Sequence, residues 1–258
     1  MSKRKFDETT DNEFKIDDLK TITSFVKLFA KDKLCSDERS VIDISEESFD
    51  MDAFMFSKTA YLKCRVPRDM FTVYGKPTCF EISPTSFIKQ SSRLGSHPSR
   101  ILVCEDKLLM STTSSKRISG GLNFMMHDMD DDRKNYFKMF EDSTYADISC
   151  SEFDGMIDSM KLVDAELVQF KVADGKLILT ACYPDGHSGT GVIDSTYEIE
   201  GDFSMFDDVT SCISLNLLSV PHKLAGNIKL CIQDCALQFV WEGNRGEKMY
   251  YAASCQVE

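Results

Sequence analysis

Residues 151–181, SEFDGMIDSMKLVDAELVQFKVADGKLILTA, decide how this chain folds. The first part reads as a helix over residues 151–163. Phe153, Met156, Ile157 and Met160 recur at the three- and four-residue spacing of one helix face, with Asp154, Asp158 and Lys161 on the opposite face. After Asp164 the period shortens to two. Residues 166–172 and 176–182 read as strands, and Ala173-Asp174-Gly175 between them supplies an Asp-Gly turn, so the pair is a hairpin.

Outward from this stretch the pattern continues in order. Residues 183–191 are rich in Pro and Gly, and strands are predicted over 196–199 and 212–216. A short helix over 217–225, carrying His222 and Lys223, is closed by Gly226, and strands run over 228–233, 237–242 and 248–253. The first half has the same plan. An amphipathic helix spans 17–32, and strands follow over 41–44, 53–56, 61–66, 70–74 and 78–82. A second helix over 84–94 opens on Pro84, tolerated in a first turn, and closes at Gly95. Strands over 101–104, 107–111 and 121–126 complete the half. Solenoid repeats have periods of roughly 20–50 residues, so a repeat this long reads as a duplicated domain.

The 258 residues suit two domains, each able to bury its own core, and 42% apolar with 28% charged is ordinary for a globular protein. No apolar run reaches the roughly 18–20 residues a membrane helix needs, and MSKRKFDETTDNE lacks the apolar core of a signal peptide, so an intracellular protein is expected. The ten cysteines are spread without C-x-x-C or zinc spacing and read as reduced core thiols. Cys231 and Cys235 are expected on one strand face. A net charge of −12 repels phosphates over the surface as a whole, so any role on DNA requires a segregated basic face.

One such face is visible. On the first helix, with about 100° per residue, Leu19, Ile22, Val26, Phe29 and Ala30 form a packing arc while Lys20, Lys27 and Lys31 form a stripe away from it. On the second, Lys89 and Arg93 are four apart and share a face, with Phe87 and Leu94 left to pack. Residues 1–13 read as a disordered tail and the charged stretch 127–143 as a connector between domains spanning 14–126 and 144–258. Asp130–Asp132 lack the ligand spacing and Gly turn of a cation loop. Neither a Walker-type phosphate loop nor G-x-S-x-G occurs, and His97, His127, His187 and His222 have no metal-ligand spacing, so no enzyme, metal or cofactor is expected.

The whole pattern after residue 13 resembles the PCNA family of DNA sliding clamps. The 151–181 stretch is similar to that family's helix and Asp-Gly hairpin. KMYYAASCQVE, with Tyr250 and Tyr251, resembles its final strand, and PTSFIKQSSRLG its second helix. The resemblance implies an α+β clamp fold: two similar domains, each with two helices packed on antiparallel sheets, joined by an interdomain connector. It implies a head-to-tail homotrimeric ring around duplex DNA, held topologically and without sequence preference. The ring would tether DNA polymerase and other replication and repair proteins, and would be placed by a clamp loader in the nucleus or at another intracellular replication site.

Residue by residue, the resemblance implies that Lys20, Lys27, Lys31, Lys89, Arg93, Lys161 and Lys223 face DNA. It implies a pocket for partner peptides at Met126, Met129, Ala236, Tyr251 and Ala253, and subunit contacts at Leu108, Leu109, Met110, Pro184, Gly186 and Gly189. The sequence departs from the family at Asp158, where an arginine is usual, and at Ala173, where eukaryotic clamps carry a modified lysine. It departs again in the charged connector and in residues 183–191, a poor strand where a subunit-bridging edge is expected. Such divergence fits a clamp of a large DNA virus or a divergent eukaryote. Two other readings stand beside the homotrimer. One is a clamp-like subunit of a heterotrimeric checkpoint clamp, or a viral processivity or transcription factor that forms no homotrimeric ring. The other is a protein-binding α+β module with no role on DNA.

Overall fold

The computed structural model describes residues 12–16, 19–30, 40–55, 59–74, 78–94, 99–104, 107–112, 120–123, 125–126, 140, 143–183, 196–222, 224–233 and 235–255. The chain divides into two compact units, residues 1–55 with 63–129, and residues 56–62 with 130–258.

In the first unit, strand β1 (Asn12–Ile16) precedes helix α1 (Leu19–Ala30). A tail was expected to run through residue 13, yet Asn12 and Glu13 already lie in β1. The strand is paired on both sides, Phe14 standing opposite both Val73 and Ile101, so its backbone groups are satisfied by two neighbours. In α1, Leu19, Ile22, Phe25 and Val26 are buried, the stripe that the helical period requires. There follow β2 (Ser40–Ile44), β3 (Ser48–Met55), β4 (Ala60–Pro67), β5 (Phe71–Tyr74) and β6 (Thr78–Ile82). Helix α2 (Pro84–Ser91) comes next, then β7 (Ser99–Cys104), β8 (Lys107–Thr112), β9 (Gly120–Asn123) and β10 (Met125–Met126). Ser83 caps α2 by accepting a hydrogen bond from the Ser86 N–H at 3.4 Å, and Pro84 occupies the first turn.

The second unit runs β11 (Ala146–Ser149), α3 (Cys150–Leu162), β12 (Leu167–Ala173), β13 (Lys176–Cys182), β14 (Thr196–Ile199), β15 (Val209–Ser214), β16 (Asn227–Gln233), β17 (Ala236–Glu242) and β18 (Lys248–Ser254). The predicted hairpin is β12–β13. Its turn residues Asp174 and Gly175 both have positive φ, 53° and 71°, as a tight two-residue hairpin turn demands. The fourth helix expected over 217–225 is instead a short 3₁₀ segment, Leu215–Ser219. Pro221 has no N–H to continue a helical ladder, and Leu217, Leu218 and Val220 are all buried, so the chain winds tightly against the core. Gly226 leaves the segment with φ 90°.

The duplication is legible in the topology. In each unit the strand before the first helix pairs with a strand far along the chain, β1 with β7 and β11 with β16. The order then runs β1-β7-β8-β9 in one unit and β11-β16-β17-β18 in the other. The second sheets also correspond, β4-β3-β2-β6 against β14-β13-β12-β15. Strand β9 is thus the counterpart of β18, and β14 of β4. In the second unit the outer neighbour of β18 is the segment entering β4, where the Ser254 N–H donates to the Thr59 carbonyl at 2.8 Å.

Each unit has its own core. Phe239 anchors the second, with ring centroids 5.5 Å from Phe153, 6.4 Å from Phe170 and 6.4 Å from Tyr251. In the first, Phe49 and Phe71 meet edge to face at 6.4 Å. Its sheet also buries charge. Asp43 stands opposite Asp50, and Asp50 accepts two hydrogen bonds from Arg65, at 2.9 and 2.7 Å, with Lys63 at 3.0 Å.

Candidate nucleic-acid interface

Of the basic residues predicted to face DNA, Lys20, Lys27, Lys89 and Lys161 lie on helices that also carry buried residues. In the first unit α1 packs against α2. Lys27 is exposed in the last turn of α1 and Lys89 in the last turn of α2. Arg93 is exposed just beyond α2, where its Nη1 donates to Gln90 Oε1 at 3.3 Å. Cations in a last turn are also favoured by the partial negative charge of the helix C-terminus. Lys20 lies within α1. Lys31 falls outside the described residues, as does Lys223 in the second unit. The first unit therefore exposes Lys27 on α1, Lys89 on α2 and Arg93 just beyond α2, and the two helices are neighbours.

The second unit is different. Lys161 is exposed on α3, but its Nζ lies 3.4 Å from His222 Nδ1 and 4.0 Å from Asp158 Oδ1. The other ring nitrogen of His222, Nε2, is 2.9 Å from Asp158 Oδ1 and 3.9 Å from Asp154 Oδ1. An ammonium donates only, so Nδ1 accepts from Lys161, and in a neutral ring the proton then sits on Nε2. His222, 8% exposed, was read from sequence as a helix residue without a role; the structure gives it one as partner to α3. Nothing in the sequence signals that pairing, because the residues are 61 positions apart.

Of the expected subunit contacts, Leu108, Leu109 and Met110 fall among the described residues. Leu108 and Met110 on β8 are both fully buried and Leu109 half-buried, while β8 is flanked by β7 and β9. A strand paired on both sides has no free ladder to offer. Among the described residues, β9 ends the sheet that holds β8, and β14 ends the sheet of β12, β13 and β15. Pro184, Gly186 and Gly189 lie outside the described residues.

Of the expected partner pocket, Met126 lies in β10 and Met129 outside the described residues. Ala236, Tyr251 and Ala253 lie on β17 and β18 and are buried in the second unit's core. Beside them a connector residue that sequence reading passed over is anchored: Phe140 packs with Cys231, Ala236 and Ala252, and Tyr145 lies against the group. The Tyr145 hydroxyl donates to Gln238 Oε1, and burial, with smaller contributions from Cys231 and Tyr250, pushes its phenol up to about 12. Cys231 and Cys235 do not share a strand face. The chain reverses between them, with Gln233 paired to Ala236 at the hairpin end.

Two similar units, each with a strand–helix–meander order on antiparallel sheets, have the architecture of an α+β clamp fold. No family model matches the chain, and no curated protein sequence matches it. Solved structures do. The proliferating cellular nuclear antigen of Entamoeba histolytica matches with TM-score 0.72 at 15% identity, over 95% of this chain and 99% of that one. The PCNA of A. fulgidus bound to the C-terminal region of FEN-1 matches with TM-score 0.71 at 14% identity, over 96% and 99%. The PCNA2–PCNA3 complex of Sulfolobus tokodaii matches with TM-score 0.67 at 13% identity, over 95% and 100%. The chain has the PCNA-like clamp fold, in a divergent sequence.

Proposed function

We propose that the chain is a DNA sliding clamp: a head-to-tail homotrimeric ring that encircles duplex DNA, is placed there by a clamp loader and tethers DNA polymerase and other replication or repair proteins. It acts without catalysis, in the nucleus or at another intracellular site of replication, which for a virally encoded clamp is the replication site in the host cell. The observation that carries this reading is the clamp fold with Lys27, Lys89 and Arg93 exposed on or just beyond two neighbouring helices. Lys20, Lys31, Lys161 and Lys223 join them in the proposed DNA-facing set. Contacts of this kind are electrostatic, weak and indifferent to sequence, which is what sliding needs.

The internal duplication supports ring closure. Within the second unit β18 is bordered by the segment entering β4. Their counterparts, β9 and β14, are both sheet edges among the described residues. We therefore place the subunit contact at β9 of one copy and β14 of the next, a heterologous pairing that closes when the rotation allows. The partner-peptide site is proposed beside Met126, Met129, Ala236, Tyr251 and Ala253, with Phe140 as its anchored border.

Light scattering coupled to size exclusion tests the ring: a mass three times the 29.2 kDa of the chain is expected. The ring should also stay on closed circular DNA and run off once the circle is cut. A stable monomer, or equal retention on both DNAs, would sink the proposal. The likeness to a PCNA2–PCNA3 complex favours one second reading, a subunit that assembles only with other clamp subunits. A monomer that gains mass only when those subunits are added would establish it.

A further inference from the structure

Strands β17 and β18 pair with Ala236 opposite Ser254. One step further, at the turn between β16 and β17, the Cys255 N–H donates to the Cys235 carbonyl at 2.8 Å, so the backbones of the two cysteines face each other at the end of the ladder. Residues opposed across an antiparallel pair have Cα atoms about 4.5–5.5 Å apart, inside the roughly 4.4–6.8 Å that a disulfide spans. The two thiols differ in access. Cys235 is exposed and Cys255 is buried. Burial, opposed by a hydrogen bond with Ser211 and aided by smaller contributions from the Cys235 and Cys212 thiols, pushes the Cys255 thiol up to about 11. Cys255 is therefore a protonated resolving thiol, and Cys235 is the one an oxidant meets first.

We propose that Cys235 and Cys255 form an intramolecular disulfide on exposure to a peroxide, a thiol switch that fastens the end of β18 to the start of β17. The Cys235 thiolate attacks one peroxide oxygen and the O–O bond breaks, giving Cys235 sulfenic acid and hydroxide. Cys255 sulfur then attacks the Cys235 sulfur. The S–S bond forms, the S–O bond breaks, and the oxygen leaves as water with the Cys255 proton. Two thiols and one hydrogen peroxide become one disulfide and two waters, and a dithiol reductant reverses the change. The bond lies two residues beyond Ala253 and one before Ala236, so it stiffens the strands assigned above to the partner-peptide site. That consequence rests on the clamp reading; the disulfide does not.

The test treats the full reduced chain with hydrogen peroxide at neutral pH, blocks remaining thiols with iodoacetamide and maps the non-reduced tryptic digest by mass. Cleavage at Lys229, Arg245 and Lys248 puts Cys255 on one peptide and Cys231 with Cys235 on another, so fragmentation of the linked pair of peptides, together with Cys231→Ser, assigns the bond to Cys235. The expected product is the Cys235–Cys255 pair, two hydrogens lighter than the reduced chain and restored by dithiothreitol. It should survive Cys212→Ser and vanish in Cys235→Ser. In Cys255→Ala, Cys235 should stop at a sulfenic acid that dimedone traps. Pairing of Cys235 with Cys212, a covalent dimer through Cys235, or oxidation of Cys235 to sulfinic acid with Cys255 still free would each overturn the proposal. All these readouts are independent of ring formation and DNA.

Discussion

Lys161 Nζ lies 3.4 Å from Nδ1 of His222, whose opposite ring nitrogen lies 2.9 Å from Asp158. Lys161, the one cation in the α3 sequence, thus has its ammonium beside an imidazole and a carboxylate. Protonation of His222 would place a second N–H on Nδ1, facing the ammonium, and drive Lys161 outward while strengthening the attraction to Asp154 and Asp158.

Replacing Asp158 by arginine should therefore strengthen DNA association. Each phosphate newly neutralised steepens the dependence of log affinity on log salt by about 0.9 on duplex DNA. Fluorescence anisotropy across a salt series measures this. An unchanged slope would show that α3 does not face DNA.

Lys89→Ala and Arg93→Ala should each flatten the same slope by about 0.9, with little effect on folding, because both side chains are exposed on or just beyond α2. Thermal melts run alongside separate the two effects. Equal slopes for wild type and the double variant would return these cations to an ordinary solvated surface.

Asp43→Asn should stabilise the first unit at neutral pH. Burial, then the facing charge of Asp50, holds the Asp43 carboxyl above its usual range. A raised folded value means that stability is greatest below the unfolded value of 3.8 and is lost as pH rises through the folded one. Asparagine does not ionise, so the variant's advantage at neutral pH should shrink as pH falls towards 3.8. Asp50 behaves oppositely. Burial raises it, but the Arg65 and Lys63 contacts prevail and hold it low, so its contribution is present above 3.8 and fades as acid protonates it. Urea melts at neutral and acid pH discriminate: a gain from Asp43→Asn that does not depend on pH would refute the electrostatic account.

Phe239→Ala should cost about 3–5 kcal/mol, because it removes the ring that meets Phe153, Phe170 and Tyr251 and leaves a cavity among strands that cannot collapse. The urea midpoint of the second unit's transition reports it. A loss below about 1 kcal/mol would mean that the core repacks around the gap.

Local chemistry was legible in the sequence wherever a short-range rule is strong. The helical period of Phe153, Met156, Ile157 and Met160 and the turn at Asp174-Gly175 set α3 and its hairpin within a residue or so. The order of elements, repeated in both halves, carried the clamp fold, because amphipathic period and turn geometry are properties of neighbouring residues. Relations between distant residues were not legible. Whether β8 or β9 forms the sheet edge depends on which strand pairs next, and β1 escaped notice because five residues framed by charge look like a tail until two partners flank them. His222 beside Lys161, Phe140 beside Ala236 and Cys235 opposite Cys255 are likewise set by packing and register. Those arise only when the whole chain closes on itself, so tertiary structure alone decided them.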